Sequence, residues 1–181
     1  MAWSAPTTVT PPGAAAVTLA AAKEYLVIED DALDGTIEGF ITAAAGKIED
    51  TTSTRLVEQT VELLADSFSD LSLLPIGPVL EVAELTYLDP NGAEQPLENS
   101  DFELFGAGLE RGIRPAFGQR WPSAAKCKGA VRVVVSVGYE ALPMPLWLAI
   151  LQMVGAMFAN REEPGGVPVP IDALVNHRVW G

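Results

Sequence analysis

The stretch that most constrains the fold is the run PMPLWLAILQMVGAMFANREE at residues 143–163. Apolar residues at helical spacing cover nearly all of its surface, and only Gln152 and Gly155 interrupt them. Pro145 suits a first helical turn, and polar, Pro- and Gly-containing residues follow Asn160. Since a bilayer span needs roughly 20 apolar residues, the run predicts a long apolar helix over 144–161. We expect it to lie in a core with one face left for a neighbour.

Composition indicates a globular protein. The chain has 181 residues, 49% of them apolar, which is enough for one well-buried domain. Its single cysteine, Cys127, excludes an internal disulfide and favours synthesis in a reducing, intracellular place. No basic segment followed by an apolar run opens the sequence, so we expect no secretory signal.

Charge divides the chain into opposed halves. Residues 1–110 carry twenty acids against three bases, whereas residues 111–181 carry eight bases against four acids. The net charge of −13 argues against binding nucleic acid through its phosphates. Six bases fall in one acid-free segment: Arg111, Arg114, Arg120, Lys126, Lys128 and Arg132. Two interpretations stay open, a solvated basic loop and a head-to-tail contact with the acidic half of another copy.

Two amphipathic helices are predicted near the amino terminus, over 18–28 and 31–51. Thr18 is the expected cap of the first helix, and Asp30 and Asp31 are the expected caps of the second. Small residues in the second helix suggest a close crossing with another helix: Gly35, Gly39 and Gly46.

A β-region is predicted over 55–139. The segment 55–68 fits a helix or a strand, and its β-branched residues favour the strand. A turn at 74–78 leads to an alternating strand over 79–88, and Asp-Pro-Asn-Gly at 89–92 is a strong turn signal. Further strands are predicted at 102–105, 113–117 and 130–139.

These elements together predict an α+β fold that is mainly helical. It would contain the amphipathic helix pair, a small antiparallel β-region, the long apolar C-terminal helix and an extended tail. A Pro-rich arm without regular structure is expected over 1–16, one domain over 17–163, and the tail over 164–181.

No pattern in the sequence predicts an active site. The one histidine, His177, lies in the expected tail, and no catalytic motif surrounds Cys127. Asp30 and Asp34 resemble the start of a calcium loop, but Ile41 stands where such a loop needs a bidentate Glu. We therefore expect no catalytic residues, no metal and no cofactor.

The order of these patterns resembles the head–tail connector (adaptor, or head-completion) proteins of tailed bacteriophages and gene transfer agents. VTLAAAKEYLVIEDDALDGTIEGFITAAAGKIE is similar to the family's opening helix pair. RLVEQTVEL and LPIGPVLEVAELTYLDPNG resemble its strand, proline turn and strand. Trp121-Pro122, VRVVVSVGYE and PMPLWLAILQMVGAMFANRE resemble its late strand and final helix. The match covers most of residues 17–163; the longer arm and the glycines of the second helix depart from it.

The resemblance implies a ring, dodecameric in relatives, that lies in the virion neck beneath the portal of a capsid. Such a ring docks the tail or a stopper protein and lets genomic double-stranded DNA pass without specific binding; no membrane is involved. By analogy the C-terminal segment contacts the portal: Ile171, Leu174, Val175, His177, Arg178, Val179 and Trp180. The tail folded onto its own subunit is the alternative.

The expected contacts between copies combine the six bases with apolar residues of the 144–161 helix: Trp147, Leu151 and Phe158. Two other functions stay open. One is a different neck or tail component, such as a stopper or tail terminator. The other is an enzyme whose site is completed between subunits by Arg114, Arg120 or His177.

Overall fold

The computed structural model describes residues 3–160, 166–170 and 174–179. It divides the chain into two units, each with its own apolar core. Unit 1 consists of Met1–Pro12, Glu58–Gly138 and Val179–Gly181, and unit 2 of Gly13–Val57 and Tyr139–Arg178. The domain predicted over 17–163 thus contains parts of both units.

Unit 1 is built on an antiparallel five-stranded sheet in the order β1-β2-β7-β3-β4, with a separate β5–β6 hairpin. The strands are β1 Thr7–Thr10, β2 Gln59–Ala65, β3 Val79–Leu88, β4 Glu94–Pro96, β5 Phe102–Ala107, β6 Glu110–Pro115 and β7 Val131–Val137.

The central strand is β7, because its run of valines is buried on both faces of the sheet. Val133 lies opposite Leu63 of β2 and Leu85 of β3, and all three side chains are buried. The predicted strands at 55–68, 79–88 and 130–139 are therefore confirmed. The β-branched residues that favoured a strand over a helix at 55–68 pack on this sheet.

The Pro-rich arm contains a strand, although we predicted no regular structure there. β1 pairs with β2, and Ser4 N donates a hydrogen bond to Leu64 O at 2.9 Å. Thr and Val are good strand formers. Pro11 and Pro12 follow the strand and do not interrupt it.

The β5–β6 hairpin packs on a 3-10 turn at Phe68–Ser72. Leu74 N donates a hydrogen bond to Arg111 O at 2.8 Å. A Cβ at Gly112 would lie only 2.2 Å from Ser72 O, so this close approach requires glycine.

Unit 2 contains three α-helices among its described residues: α1 Leu19–Leu26, α2 Asp34–Thr52 and α3 Met144–Ala159. Its core takes Ile37, Ile41 and Ile48 from α2 and seven buried residues from α3: Leu146, Ala149, Ile150, Leu151, Met153, Val154 and Met157. Lys47 Nζ donates a hydrogen bond to Val167 O at 2.6 Å, which ties the segment 166–170 to α2.

One detail of the helix pair agrees with expectation and two differ. Thr18 caps α1 as predicted, since its hydroxyl accepts from Ala21 N at 3.2 Å. Asp30 and Asp31 do not cap α2, which begins after Leu33 without a side-chain cap. Nor do the glycines of α2 mark a close crossing. A Cβ at any of them would have no atom within 4 Å.

The fold class is α+β, but the prediction that it is mainly helical is wrong. Helix contributes 31% and strand 27%, because β1 and β4 extend a sheet that we expected to be small. The prediction of a long apolar C-terminal helix is also wrong. α3 ends at Ala159 after 16 residues, whereas α2 has 19. In the described part of the chain, no helix is long and apolar enough to span a bilayer.

Candidate assembly surfaces

The six bases of the acid-free segment divide into paired and unpaired groups. Arg114 and Arg132 form ion pairs within unit 1. Arg120, Lys126 and Lys128 are exposed and have no ion-pair partner in the described part of the chain, and Arg111 is half-buried. The unpaired charge therefore lies in the loop between β6 and β7.

Arg132 joins three neighbouring strands. From β7 its Nε donates to Glu62 Oε2 on β2, and its Nη1 lies 2.9 Å from Glu84 Oε2 on β3. The hydrogen bonds to Glu62 and then Glu84 raise the pKa of the Arg132 guanidinium. Its charge is thus satisfied inside the unit.

Arg114 is held on the hairpin. Its Nε donates to Glu103 Oε1 at 2.6 Å, directly across the β5–β6 ladder, and its guanidinium lies 5.3 Å from the Phe105 ring centre. Cross-strand pairing and the cation–π contact both fix the side chain, although it stays exposed.

The β6–β7 loop, residues 116–129, carries an exposed aromatic side chain on a tight turn. Phe117 is fully exposed. Gln119 N donates to Ala116 O at 2.8 Å, and Gly118 has φ +84°, which a glycine adopts without strain. Trp121 stacks on Phe68 with ring centres 4.7 Å apart. The turn that presents Phe117 is therefore held in place by hydrogen bonds and stacking.

The same loop borders an open groove of about 660 Å³. Its lining includes Trp121 and three exposed residues of the loop: Lys126, Cys127 and Lys128. Asp66, whose Oδ1 accepts from Gly129 N at 2.9 Å, is a carboxylate at its rim. The groove therefore combines two exposed cations, an exposed thiol and a carboxylate.

An acidic surface lies in unit 2 at the junction of α1 and α2; we call residues 24–34 the acidic corner. Lys23 Nζ pairs with Asp31 at 2.6 Å and with Asp34 at 2.7 Å. The hydrogen bond from Lys23 lowers the pKa of Asp31, and the bonds to Asp31 and Asp34 raise that of Lys23. Glu24, Glu29 and Asp30 are exposed and have no ion-pair partner among the described residues.

The acidic corner also exposes apolar side chains. Val27 is 87% exposed and has φ 56°, in the left-handed region that β-branched residues avoid. It ends α1 by donating its N–H to Glu24 O at 3.2 Å. Tyr25 beside it is 44% exposed. The acidic corner therefore exposes apolar side chains in the same short segment as its unpaired carboxylates.

The residues expected to contact the portal lie in different environments. Leu174 is buried in the unit 2 core, and Val179 is buried in unit 1, where its Cγ2 lies 3.2 Å from the place of a Cβ on Gly77. Val175 and Arg178 are exposed, and His177 is half-buried with its ring 6.4 Å from that of Tyr139. Ile171 and Trp180 lie outside the described residues.

The apolar residues expected between copies mostly belong to the unit 2 core. Leu151 is buried, and Trp147 and Phe158 are half-buried against that core. The exposed large apolar residues of α3 are Met144 and Leu148.

The two residues with nucleophilic or basic potential belong to different units. Cys127 is exposed in unit 1, whereas His177 belongs to unit 2 and contacts an aromatic ring. Burial raises the pKa of Tyr139. Within the described ranges, no three His, Cys, Asp or Glu residues cluster in a way that could hold a metal ion.

Sequence reasoning missed the exposure of Phe117 and Val27. Phe117 was placed at the end of a strand, although Gly118 directly after it indicates a turn. Val27 has no comparable signal, because a valine in the left-handed region is rare.

Three solved structures share this fold over almost their whole length. A chain in the neck of an empty gene transfer agent particle, computed with C6 symmetry, has a TM-score of 0.78, 22% identity and coverage of 98% of this chain and 97% of that one. A chain of a native gene transfer agent virion has a TM-score of 0.76 and 24% identity, and the match covers 97% of this chain and 96% of that one. A chain in the neck of a native particle, computed with C12 symmetry, has a TM-score of 0.74 and 24% identity, and the match covers 98% of this chain and 97% of that one.

No protein-family model and no curated protein matches the sequence. At 22–24% identity the structural similarity establishes the fold. The resemblance to head–tail connector proteins is confirmed at the level of the fold, since this chain has the fold of chains found in the neck and virion of gene transfer agent particles.

Proposed function

We propose that this chain is a structural subunit of the virion neck of a tailed phage or gene transfer agent. Copies of it would form a ring that joins the portal to the tail or to a stopper protein. The observation that carries the proposal is the agreement of fold over at least 96% of three neck or virion chains. A fold alone leaves function open, so the surfaces of the chain must support the assignment as well.

A ring needs two different surfaces that complement each other, because each subunit meets its two neighbours through opposite sides. Two oppositely charged surfaces of this chain support such an arrangement. In the described part of the chain, the β6–β7 loop carries Arg120, Lys126 and Lys128 without ion-pair partners, and the acidic corner carries Glu24 and Glu29 without them. Opposite charges of this kind favour ordered association over random aggregation.

The charge of the chain also suits a passage for DNA. Its net charge is −13, and like-charged walls repel phosphates, so DNA would slide through without being held. We place the channel of the proposed ring next to acidic surface for this reason.

We propose no catalytic turnover for the protein. Among the described residues the exposed thiol of Cys127 makes no hydrogen bond, and the imidazole of His177 contacts Tyr139. Nucleophilic catalysis needs a nucleophile, a base and an orienting group within hydrogen-bond reach.

Electron microscopy of the purified protein, alone and mixed with a portal protein from the same particle, tests the proposal. We expect closed rings that stack coaxially on the portal, with twelvefold averages. The control is a portal-only sample at the same concentration.

Rings that bind the tail end and ignore the portal would instead assign the chain to the stopper or terminator class. A protein that stays monomeric at all concentrations, with and without the portal, would contradict the neck assignment. Detection of turnover that depends on Arg114, Arg120 or His177 would support the enzyme alternative.

A further inference from the structure

We propose that Phe117 and Arg120 of one copy dock on the acidic corner of the next copy, with Phe117 against Tyr25 and Val27. This inference rests on the proposed ring and names the contact that would close it. The occupant of each surface is therefore a second copy of this chain.

The donor side is an exposed aromatic residue on a rigid support. Phe117 is fully exposed, yet its turn is fixed by the bonds from Gln119 N to Ala116 O at 2.8 Å and from Ala116 N to Asp101 O at 2.9 Å. A preorganised side chain loses little conformational entropy when it binds. An aromatic residue beside an arginine is the composition typical of interface hot spots.

The acceptor side has the matching pattern. Tyr25 and Val27 are exposed apolar side chains of the corner, and Glu24, Glu29 and Asp30 are exposed carboxylates of the same short segment. The ion pairs of Lys23 with Asp31 and Asp34 hold the last turn of α1 to the start of α2. An exposed apolar centre with a polar rim is typical of an interaction site.

Charge favours a second copy as the partner. The loop residues 116–129 contain three bases and no acid, and the corner residues 24–34 contain five acids, of which Asp31 and Asp34 are paired with Lys23. The two surfaces differ and lie on the same chain, so their contact is heterologous and can repeat around a ring. A second copy is thus a partner that supplies both the apolar contact and the opposite charge.

The first test removes the aromatic ring of Phe117. Phe117→Ala should weaken self-association about 30-fold, the loss typical of a hot-spot residue. Val9→Ala, which truncates an exposed apolar residue elsewhere in unit 1, should leave association unchanged. Dissociation constants are measured by sedimentation velocity, and circular dichroism checks that both variants fold.

The second test exchanges charges. Arg120→Glu and Glu29→Arg should each weaken association, and the double variant should recover it. Glu98→Arg reverses an exposed acid in unit 1, so the pair Arg120→Glu with Glu98→Arg should show no recovery. Recovery specific to Glu29 distinguishes this contact from a general effect of net charge.

The third test uses cysteines in a Cys127→Ser background. Gln119→Cys and Ala32→Cys place thiols at exposed positions of the loop and the corner. Under oxidation, the protein with both cysteines should give a ladder of covalent multimers. A mixture of the two single-cysteine proteins should give heterodimers and nothing larger, as a heterologous contact requires.

The outcomes separate this contact from the proposed function. Rings that persist in Phe117→Ala and in Arg120→Glu, without cross-linking, would overturn the contact while the neck assignment stands. Intact rings combined with lost portal binding in Phe117→Ala would also overturn it, and would assign the loop to the portal. Wild-type protein that forms no multimer under any condition would overturn both proposals.

Discussion

At the residue scale, Arg132 is the charge on which the sheet of unit 1 depends. It compensates Glu62 and Glu84 on the two strands that flank β7. Arg132→Met would leave both carboxylates without a counter-charge, and we expect a loss of about 1–2 kcal/mol in the free energy of unfolding. Urea denaturation at pH 7 measures it.

Arg120→Met is the matched control, because Arg120 is exposed and has no ion-pair partner in the described part of the chain. It should change stability by no more than about 0.5 kcal/mol. Equal losses in both variants would show that the Arg132 ion pairs are not what stabilises the sheet.

Glu49 provides a prediction about pH. Its Oε1 accepts from Leu56 N at 2.8 Å, and burial raises its pKa above the ordinary value of a glutamate. The folded protein then binds the proton more tightly than the unfolded chain does. The stability contributed by this group is therefore highest at low pH, falls as pH rises towards the raised pKa, and stays reduced above it.

Glu49→Gln keeps an acceptor for Leu56 N and removes the ionised form. We expect it to raise the free energy of unfolding at pH 7 and to have a smaller effect at pH 4, where the wild-type group is mostly protonated in both states. Chemical denaturation at both pH values checks this, with Glu98→Gln as an exposed control. A variant less stable than wild type at pH 7 would contradict the prediction.

At the element scale, α3 separates core residues from surface residues one turn apart. Leu151 is buried, whereas Leu148 is 42% exposed. We expect Leu151→Ala to cost about 2–5 kcal/mol and Leu148→Ala less than about 1 kcal/mol in unfolding free energy. Thermal and urea denaturation of the two variants measure the difference.

A small effect of Leu151→Ala on stability, together with weaker self-association, would restore this residue to the interface that its sequence pattern indicated. A large loss of stability with unchanged self-association would show that Leu151 acts in the core of unit 2.

The approach of β6 to the 3-10 turn gives a second prediction at this scale. Gly112→Ala forces a methyl group against Ser72 O, and we expect a loss of about 1–3 kcal/mol from the strain. Gly39→Ala is the control, since nothing lies within 4 Å of its Cβ position in α2. That change should stabilise the chain by up to about 1 kcal/mol. Differential scanning calorimetry should show Tm shifts of opposite sign.

Most elements could be predicted from local patterns because periodicity and turn chemistry determine them. The alternation over Val79–Leu88 and the turn at Asp89 are examples, and Gly92 N donates to Asp89 O at 2.9 Å as such a turn requires. β1 could not be predicted, because four exposed residues form a strand only when β2 offers its edge. The predicted caps of α2 are wrong because Asp30 Oδ1 accepts from Ala32 N, Asp31 pairs with Lys23 eight residues away, and the helix begins only at Asp34.

At the scale of the whole molecule, the net charge of −13 predicts indifference to DNA. We expect a dissociation constant above about 100 μM for a duplex at 0.15 M salt, weaker than ordinary non-specific binders. Fluorescence anisotropy with a labelled duplex measures it. Micromolar binding that Arg120→Glu abolishes would instead make the β6–β7 loop a DNA contact.

The candidate surfaces could be predicted from sequence only in part. The basic segment was found by composition, but which of its members are unpaired depends on the register that places Glu103 opposite Arg114. Likewise, the helical spacing of apolar residues in 144–161 indicated that Leu151 could contact another copy, whereas the packing of α3 in the unit 2 core buries it. Long-range pairing decides both cases.

The discontinuous make-up of unit 1 has a consequence for biosynthesis. Along the chain, β7 is the last strand of its sheet. Val179 nevertheless packs in this unit beside Gly77, and β1 comes from the amino-terminal end of the chain. A nascent polypeptide that leaves the ribosome amino end first cannot complete this unit until translation has passed Val179. Half-made subunits thus lack a finished unit 1, and only copies synthesised at least to that point carry the whole of it.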